Sequence, residues 1–121
     1  MCEVKLAVAL SEFTKKQVEV KIGAFCKNLI PSYLKSELRS SFSTRGNCVT
    51  IYEEQPAFDN PKEWIKIKVA QLRFNPEAKE WTLYWCDQND RWHRYKEIEP
   101  TPDLDSLLAV LDEDATGVFW G

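Results

Sequence analysis

The chain's one histidine, His93, follows two acids at intervals of three residues, Asp90 and Asp87, and Cys86 stands just before them. Acids and an imidazole gathered across a turn can hold a hard cation and activate a bound water, which is the chemistry of a small metal-assisted hydrolase. A single imidazole excludes any multi-histidine metal site. Turns also select Asp and Asn for backbone reasons alone, because the short side chains bond nearby main-chain N–H groups. The spacing therefore predicts a turn first, and no metal and no cofactor is assigned. Cys86 and His93 form a second constellation, a thiol and a base pointing off the same face of neighbouring strands. An orienting third group and an oxyanion loop, which a nucleophile site also needs, have no counterpart in the sequence. There is no P-loop, GxGxxG or nucleophile elbow, and four glycines are too few for a glycine-built phosphate cradle.

These residues belong to a predicted hairpin, EWTLYWCDQNDRWHRY, in which Trp81, Leu83 and Trp85 alternate with Thr82, Tyr84 and Cys86. With Gln88 and Asn89 as the central pair of the turn, Trp85 lies opposite Trp92 and Tyr84 opposite His93. Trp81, Leu83, Trp85 and Trp92 then form a core face, an assignment that only an odd-length loop would break. An earlier hairpin centred on Gly46 and Asn47 sets Phe42 against Ile51 and Thr44 against Val49. Between the two hairpins, Ile65, Ile67 and Val69 alternate on one side of a strand while Ala70, Leu72 and Phe74 alternate on the other. A β-bulge near Val69 and Ala70 brings all six to the core side. The turn Asn75-Pro76-Glu77-Ala78 then places Phe74 opposite Trp81 and Leu72 opposite Leu83.

Helices are expected at both ends. Ser11 caps a helix whose residues Val18, Ile22, Phe25, Cys26 and Leu29 fall on one stripe, and Pro31 ends it. Thr101 as N-cap, Pro102 in the first turn and the acids Asp103 and Asp105 start a second helix with the stripe Leu104, Leu107, Leu108 and Leu111. Gly117 lets the chain turn back, so that Phe119 and Trp120 plug the end of the core. The predicted fold is α+β, one domain over residues 1–121, an antiparallel meander of about five strands packed with an N-terminal and a C-terminal helix.

With 121 residues and 44% hydrophobic content the chain can bury a core without staples. Up to Thr50 there are eight basic and four acidic residues, from Ile51 to Lys96 eight of each, and from Glu97 onwards seven acidic and none basic. A general basic bias towards nucleic acid is thus absent, and any basic surface is local. Cys2, Cys26, Cys48 and Cys86 are widely spaced and read as buried or incidental thiols of a cytoplasmic protein. The apolar run Leu6 to Leu10 is too short for a membrane span.

Strand parity, with the bulge applied, collects Tyr52, Trp64, Lys66, Lys68, Gln71, Arg73, Tyr84, Arg91, His93 and Tyr95 on the face opposite the core. Rings among cations, without a clustered acid–base set, suit binding better than catalysis. The leading expectation is a non-enzymatic interaction domain that uses this face towards a second copy of itself (a homo-oligomer) or another protein. Single-stranded nucleic acid is the alternative partner, since bases stack on rings while cations track phosphates.

The segments RGNCVTIYEEQP, VAQLRF and WTLYWCDQNDRWHRY, with the terminal pattern Asp-x-x-Gly-x-Phe-Trp-Gly, carry a resemblance. From about Phe13 to Gly121 the chain resembles small bacterial uncharacterised proteins grouped as domain of unknown function three-zero-two-four. The resemblance implies a bacterial, cytoplasmic, single-domain α+β protein and transfers no catalytic residue.

Overall fold

The computed structural model describes residues 10–35 and 37–120, so residues 1–9 with Cys2, Ser36 and the terminal Gly121 fall outside the description. The elements run α1 (Glu12–Leu29), a short 3-10 turn (Ser32–Leu34), β1 (Arg39–Arg45), β2 (Cys48–Pro56), β3 (Trp64–Asn75), β4 (Glu80–Cys86), β5 (Trp92–Arg94) and α2 (Leu104–Glu113). The five strands pair in chain order, each antiparallel to the last, as the sequence predicts. A meander needs only short turns between partners, which explains why local turn chemistry specifies most of this sheet.

Both helices contribute to one core against the inner face of the sheet. Ser11 Oγ accepts from Thr14 N at 3.2 Å, and Val18, Ile22 and Cys26, four residues apart, are buried. From α2 come Leu104, Leu107, Leu108 and Leu111, and from the sheet Val49, Ile51, Ala70, Leu72, Trp81 and Leu83. Lys21 on α1 reaches Asp105 on α2 at 2.8 Å across the helix surface.

Gly46, at φ +59°, turns β1 into β2, and Phe42 pairs with Ile51 and Thr44 with Val49 as expected. The bulge is present as well. Ile51 pairs with Ala70 but Tyr52 with Lys68, so Val69 is the inserted residue. Val69, Ala70, Leu72 and Phe74 all join the core, whereas Ile65 and Ile67 remain 42% and 41% exposed. Their side of the strand is the predicted one, but that end of the β2–β3 hairpin is not packed into the core.

The start of α2 differs from expectation. Asp103, not Thr101, is the N-cap, its carboxylate accepting from Asp105 N. Thr101 is used by the sheet instead: Trp81 N donates to Thr101 O at 2.8 Å and Thr101 N to Trp81 O at 3.0 Å. The short β5 pairs only with residues 84–86 of β4, so the start of β4 has an edge that Thr101 fills. With its carbonyl accepting from Trp81 N, Thr101 does not accept the first bond of a helix, which starts after Asp103.

After α2 the chain folds back. Asp114 adopts the left-handed conformation at φ 44°, and Gly117 follows at φ 72°. The Asp114 carboxylate accepts from Phe119 N and Trp120 N at 3.2 and 3.0 Å, and Trp120 Nε1 donates to Leu111 O at 2.9 Å. Phe119 is buried, its ring 4.9 Å from that of Tyr95. Phe119→Ala is expected to lower stability by about 3 to 5 kcal/mol, and Asp114→Ala by about 1 to 3 kcal/mol through the two N–H groups it leaves unbonded. Urea denaturation checks both; an unchanged midpoint for Phe119→Ala contradicts the docked terminus.

Candidate functional site

The face of the sheet turned away from the helices depends on how β4 passes into β5. Asp87 N donates to Arg91 O at 2.8 Å, and Asp87 Oδ1 accepts from Asn89 N and Arg91 N at 2.8 and 3.0 Å. Asp90 takes φ 65°, a left-handed conformation that Asp tolerates better than most residues. The loop proper is therefore the three residues Gln88, Asn89 and Asp90, a turn closed by a left-handed residue, rather than a two-residue turn. This odd loop shifts the expected register by one. Trp85 pairs with His93, Cys86 with Trp92 and Tyr84 with Arg94.

Three assignments change in consequence. Trp92 leaves the predicted core face and joins Cys86 on the outer one. His93 moves to the inner side, where its ring stacks on Trp85 at 4.7 Å and 27°. Tyr95, expected on the outer face, is buried in the core, and its hydroxyl lies 3.2 Å from Thr116 Oγ1.

Of the predicted site residues, the outer face gathers Tyr52, Trp64, Lys66, Lys68, Arg73 and Tyr84. Arg91 sits at the foot of the loop, and His93 and Tyr95 lie elsewhere. Cross-strand register orders the face in rows: Arg39, Glu54 and Lys66; then Ser41, Tyr52 and Lys68; then Ser43, Thr50, Gln71, Tyr84 and Arg94; then Arg45, Cys48, Arg73 and Thr82. Cations in one row lie over rings of the next, within the reach of diagonal neighbours. The Arg39 guanidinium is 3.7 Å from the Trp64 ring centre, Arg73 is 3.9 Å from Tyr84, and the Lys66 ammonium is 5.1 Å from Tyr52. Arg39, Arg45, Arg94 and Trp92 are absent from the sequence-based set. For Arg39 and Arg45 the signal was present, since each lies three residues from Phe42, which pairs with the core residue Ile51, and strand alternation therefore sends both to the other face.

The middle of the face is polar and closely bonded. Arg73 Nε donates to Gln71 Oε1 at 2.7 Å, and Gln71 Nε2 donates to Thr50 Oγ1 at 3.0 Å. Gln71 and Thr50 are buried, which this mutual bonding permits. Beside them a hollow of about 260 Å³ is bordered by Arg45, Tyr52, Lys68 and Trp92. Cys26 and Cys86 are free thiols.

The acids of the loop turn to different partners. Asp90 accepts from Lys68 Nζ at 2.9 Å and from the Cys86 thiol at 3.7 Å; Asp87 Oδ2 lies 2.7 Å from His93 Nε2. Lys68 holds Asp90 below the usual carboxylate range, and Asp90 in turn raises Lys68. Burial first, and then the Asp90 carboxylate, push the Cys86 thiol up. Cys86 and His93 face opposite sides of the sheet, so the imidazole does not stand beside the thiol. Among the described residues no group of three or more His, Cys, Asp or Glu converges as a metal site would require.

An antiparallel meander with its helices on one face and a cation–aromatic lattice on the other defines a small α+β domain. The chain belongs to the family described as Domain of unknown function (DUF3024), whose model matches residues 10–121. No curated protein and no solved structure matches the chain significantly. Among the described residues no helix is long and apolar enough to cross a membrane.

The hydrogen bond from His93, with those from the Arg91 and Asn89 N–H groups, holds Asp87 below its ordinary range. A carboxyl depressed by folding stabilises the fold above its unfolded value of about 3.9, and that contribution is lost as pH falls through the lower folded value. Carbon-detected NMR titration is expected to find the Asp87 midpoint below that of a free aspartate and to find it raised in His93→Ala. Equal midpoints in the two proteins would show that the imidazole does not set it.

Proposed function

We propose that this protein is a non-enzymatic interaction domain that binds a protein partner, a second copy of the chain included, through the outer face of its sheet. The observation that carries the reading is the set of three cation–aromatic pairs laid diagonally across β1 to β4. Arg, Tyr and Trp are the residue types that concentrate binding energy at protein interfaces, above all where neighbours hold them in place. Here the partner of each ring is already seated on it, so little side-chain freedom is left to lose on docking.

The same observation weighs against single-stranded nucleic acid. A base stacks on the face of a ring, and in Trp64 and Tyr84 one face lies under a guanidinium. Cations committed to rings still attract phosphate, so the nucleic-acid reading becomes an outcome of the test. Hydrolysis gains no support, because Asp90 turns to Lys68 and away from the Asp87–His93 pair.

The test compares the wild-type chain with the double variant Arg73→Ala, Tyr84→Ala in three measurements: sedimentation velocity over a concentration series, capture of partners from cells of the source organism, and anisotropy with single-stranded oligonucleotides at rising salt. A dimer or a captured protein whose affinity the variant lowers at least about tenfold is expected. Identical behaviour of the two chains contradicts the reading, and salt-sensitive oligonucleotide binding in its place would transfer the face to nucleic acid.

A further inference from the structure

A second concavity lies on the helix side of the sheet, apart from the outer face. It occupies about 570 Å³ between the first turns of α1, the β3–β4 turn and the segment that leads into α2. Pockets for small ligands span about 300 to 1,000 Å³ and combine apolar walls with a few polar groups. Phe74 and Trp81 line it as a tilted ring pair 4.9 Å apart, with Pro102 beside them. Phe13, on the first turn of α1, also lines the cleft and is 74% exposed. A phenyl ring left that open at the edge of an apolar cleft is a surface that a bound molecule would cover.

Polar chemistry enters from two sides. Thr14 and Gln17, one turn apart on α1, line the cleft, and across from them stands Lys79. Among the described lining residues Lys79 is the one ionisable side chain, so the cleft carries a single positive charge. Its backbone is informative too. Lys79 closes the β3–β4 turn, its N–H donating to Asn75 O at 2.7 Å, with φ at 57°. Glycine fits that left-handed conformation without steric cost, whereas a lysine is strained there. What the lysine adds over a glycine at this position is a positively charged side chain on a residue that borders the cleft.

We propose that this cleft binds a small amphipathic carboxylate, its apolar or aromatic body between Phe13 and the Phe74–Trp81 pair, its anionic end on Lys79 with Thr14 and Gln17 as further hydrogen-bond donors. The assignment is independent of the outer face, and neither reading depends on the other.

Phenylbutyrate, phenylbutanol and phenylbutylamine share one body and differ in charge, so NMR titrations of the full chain with the three separate the contributions. Saturable shifts at the amides of Phe13, Thr14 and Lys79 and at the Trp81 indole are expected, with the anion tightest and the amine weakest. Lys79→Gly is expected to fold at least as stably as the wild type, since it relieves the backbone, yet to bind the carboxylate about tenfold more weakly, as loss of one charge-assisted hydrogen bond implies. Phe13→Ala should weaken all three probes. Absence of saturable shifts at these residues, equal affinities for the three probes, or an unchanged carboxylate affinity in Lys79→Gly each overturns the proposal.

Discussion

Alternation is the constraint on which this molecule depends. Successive residues of a strand face opposite sides, so one residue more or less in a strand or loop sends everything beyond it to the other face. The chain uses this twice. Val69, inserted in β3, brings Ala70, Leu72 and Phe74 to the helices while Tyr52 and Lys68 stay together on the outer face. The three-residue loop before β5 sends Trp92 outward and turns His93 in against Trp85. Without the first insertion the strand would bury lysines; with an even second loop the core would hold Trp92 in place of Tyr95.

How well each parity could be read follows from how strongly the local residues dictate it. The turn at Gly46 was legible because a glycine in the left-handed region beside Asn47 is the usual chemistry of a two-residue hairpin. The bulge was legible because the apolar pattern itself changes phase, and only an insertion reconciles its two halves. The loop at residues 87–91 was not, because Asp87-Gln88-Asn89-Asp90 serves a two-residue and a three-residue turn equally well. What decides is the Asp87 carboxylate collecting two backbone N–H groups, with Asp90 entering the left-handed region. The same limit affected α2: Thr101 and Asp103 are both good caps, and the choice between them rests with a tertiary bond to Trp81. The candidate face inherited these results, so the sequence puts Tyr52, Trp64, Lys66, Lys68, Arg73 and Tyr84 on the side where the structure has them, and misplaces His93 and Tyr95.

The aromatic residues divide along the same lines. Trp81 and Phe119 are buried with the leucines of α2, and the indole N–H of Trp120 satisfies the carbonyl of Leu111 near the end of that helix. A helix C-terminus leaves carbonyls without intrahelical partners, and α2 has no basic residue in its last turn to meet them. The indole takes that role, which ties the terminal segment to the helix by a directional bond as well as by packing.

The two faces of the sheet differ in what their residues contribute to folding. Apolar burial on the inner face stabilises by about 25 cal/mol per Å². On the outer face, the hydrogen bond between buried Gln71 and Thr50 mainly offsets the loss of their bonds to water, a net contribution of about 0.5 to 1.5 kcal/mol. An exposed cation–aromatic pair adds about 0.5 to 1 kcal/mol. Apolar residues at the same positions would serve stability as well or better, at the expense of an exposed sticky sheet. A polar lattice in which Arg39, Lys66 and Arg73 are each seated on a ring gives this face a fixed pattern of charge at small energetic cost, the property on which the proposed partner binding would draw.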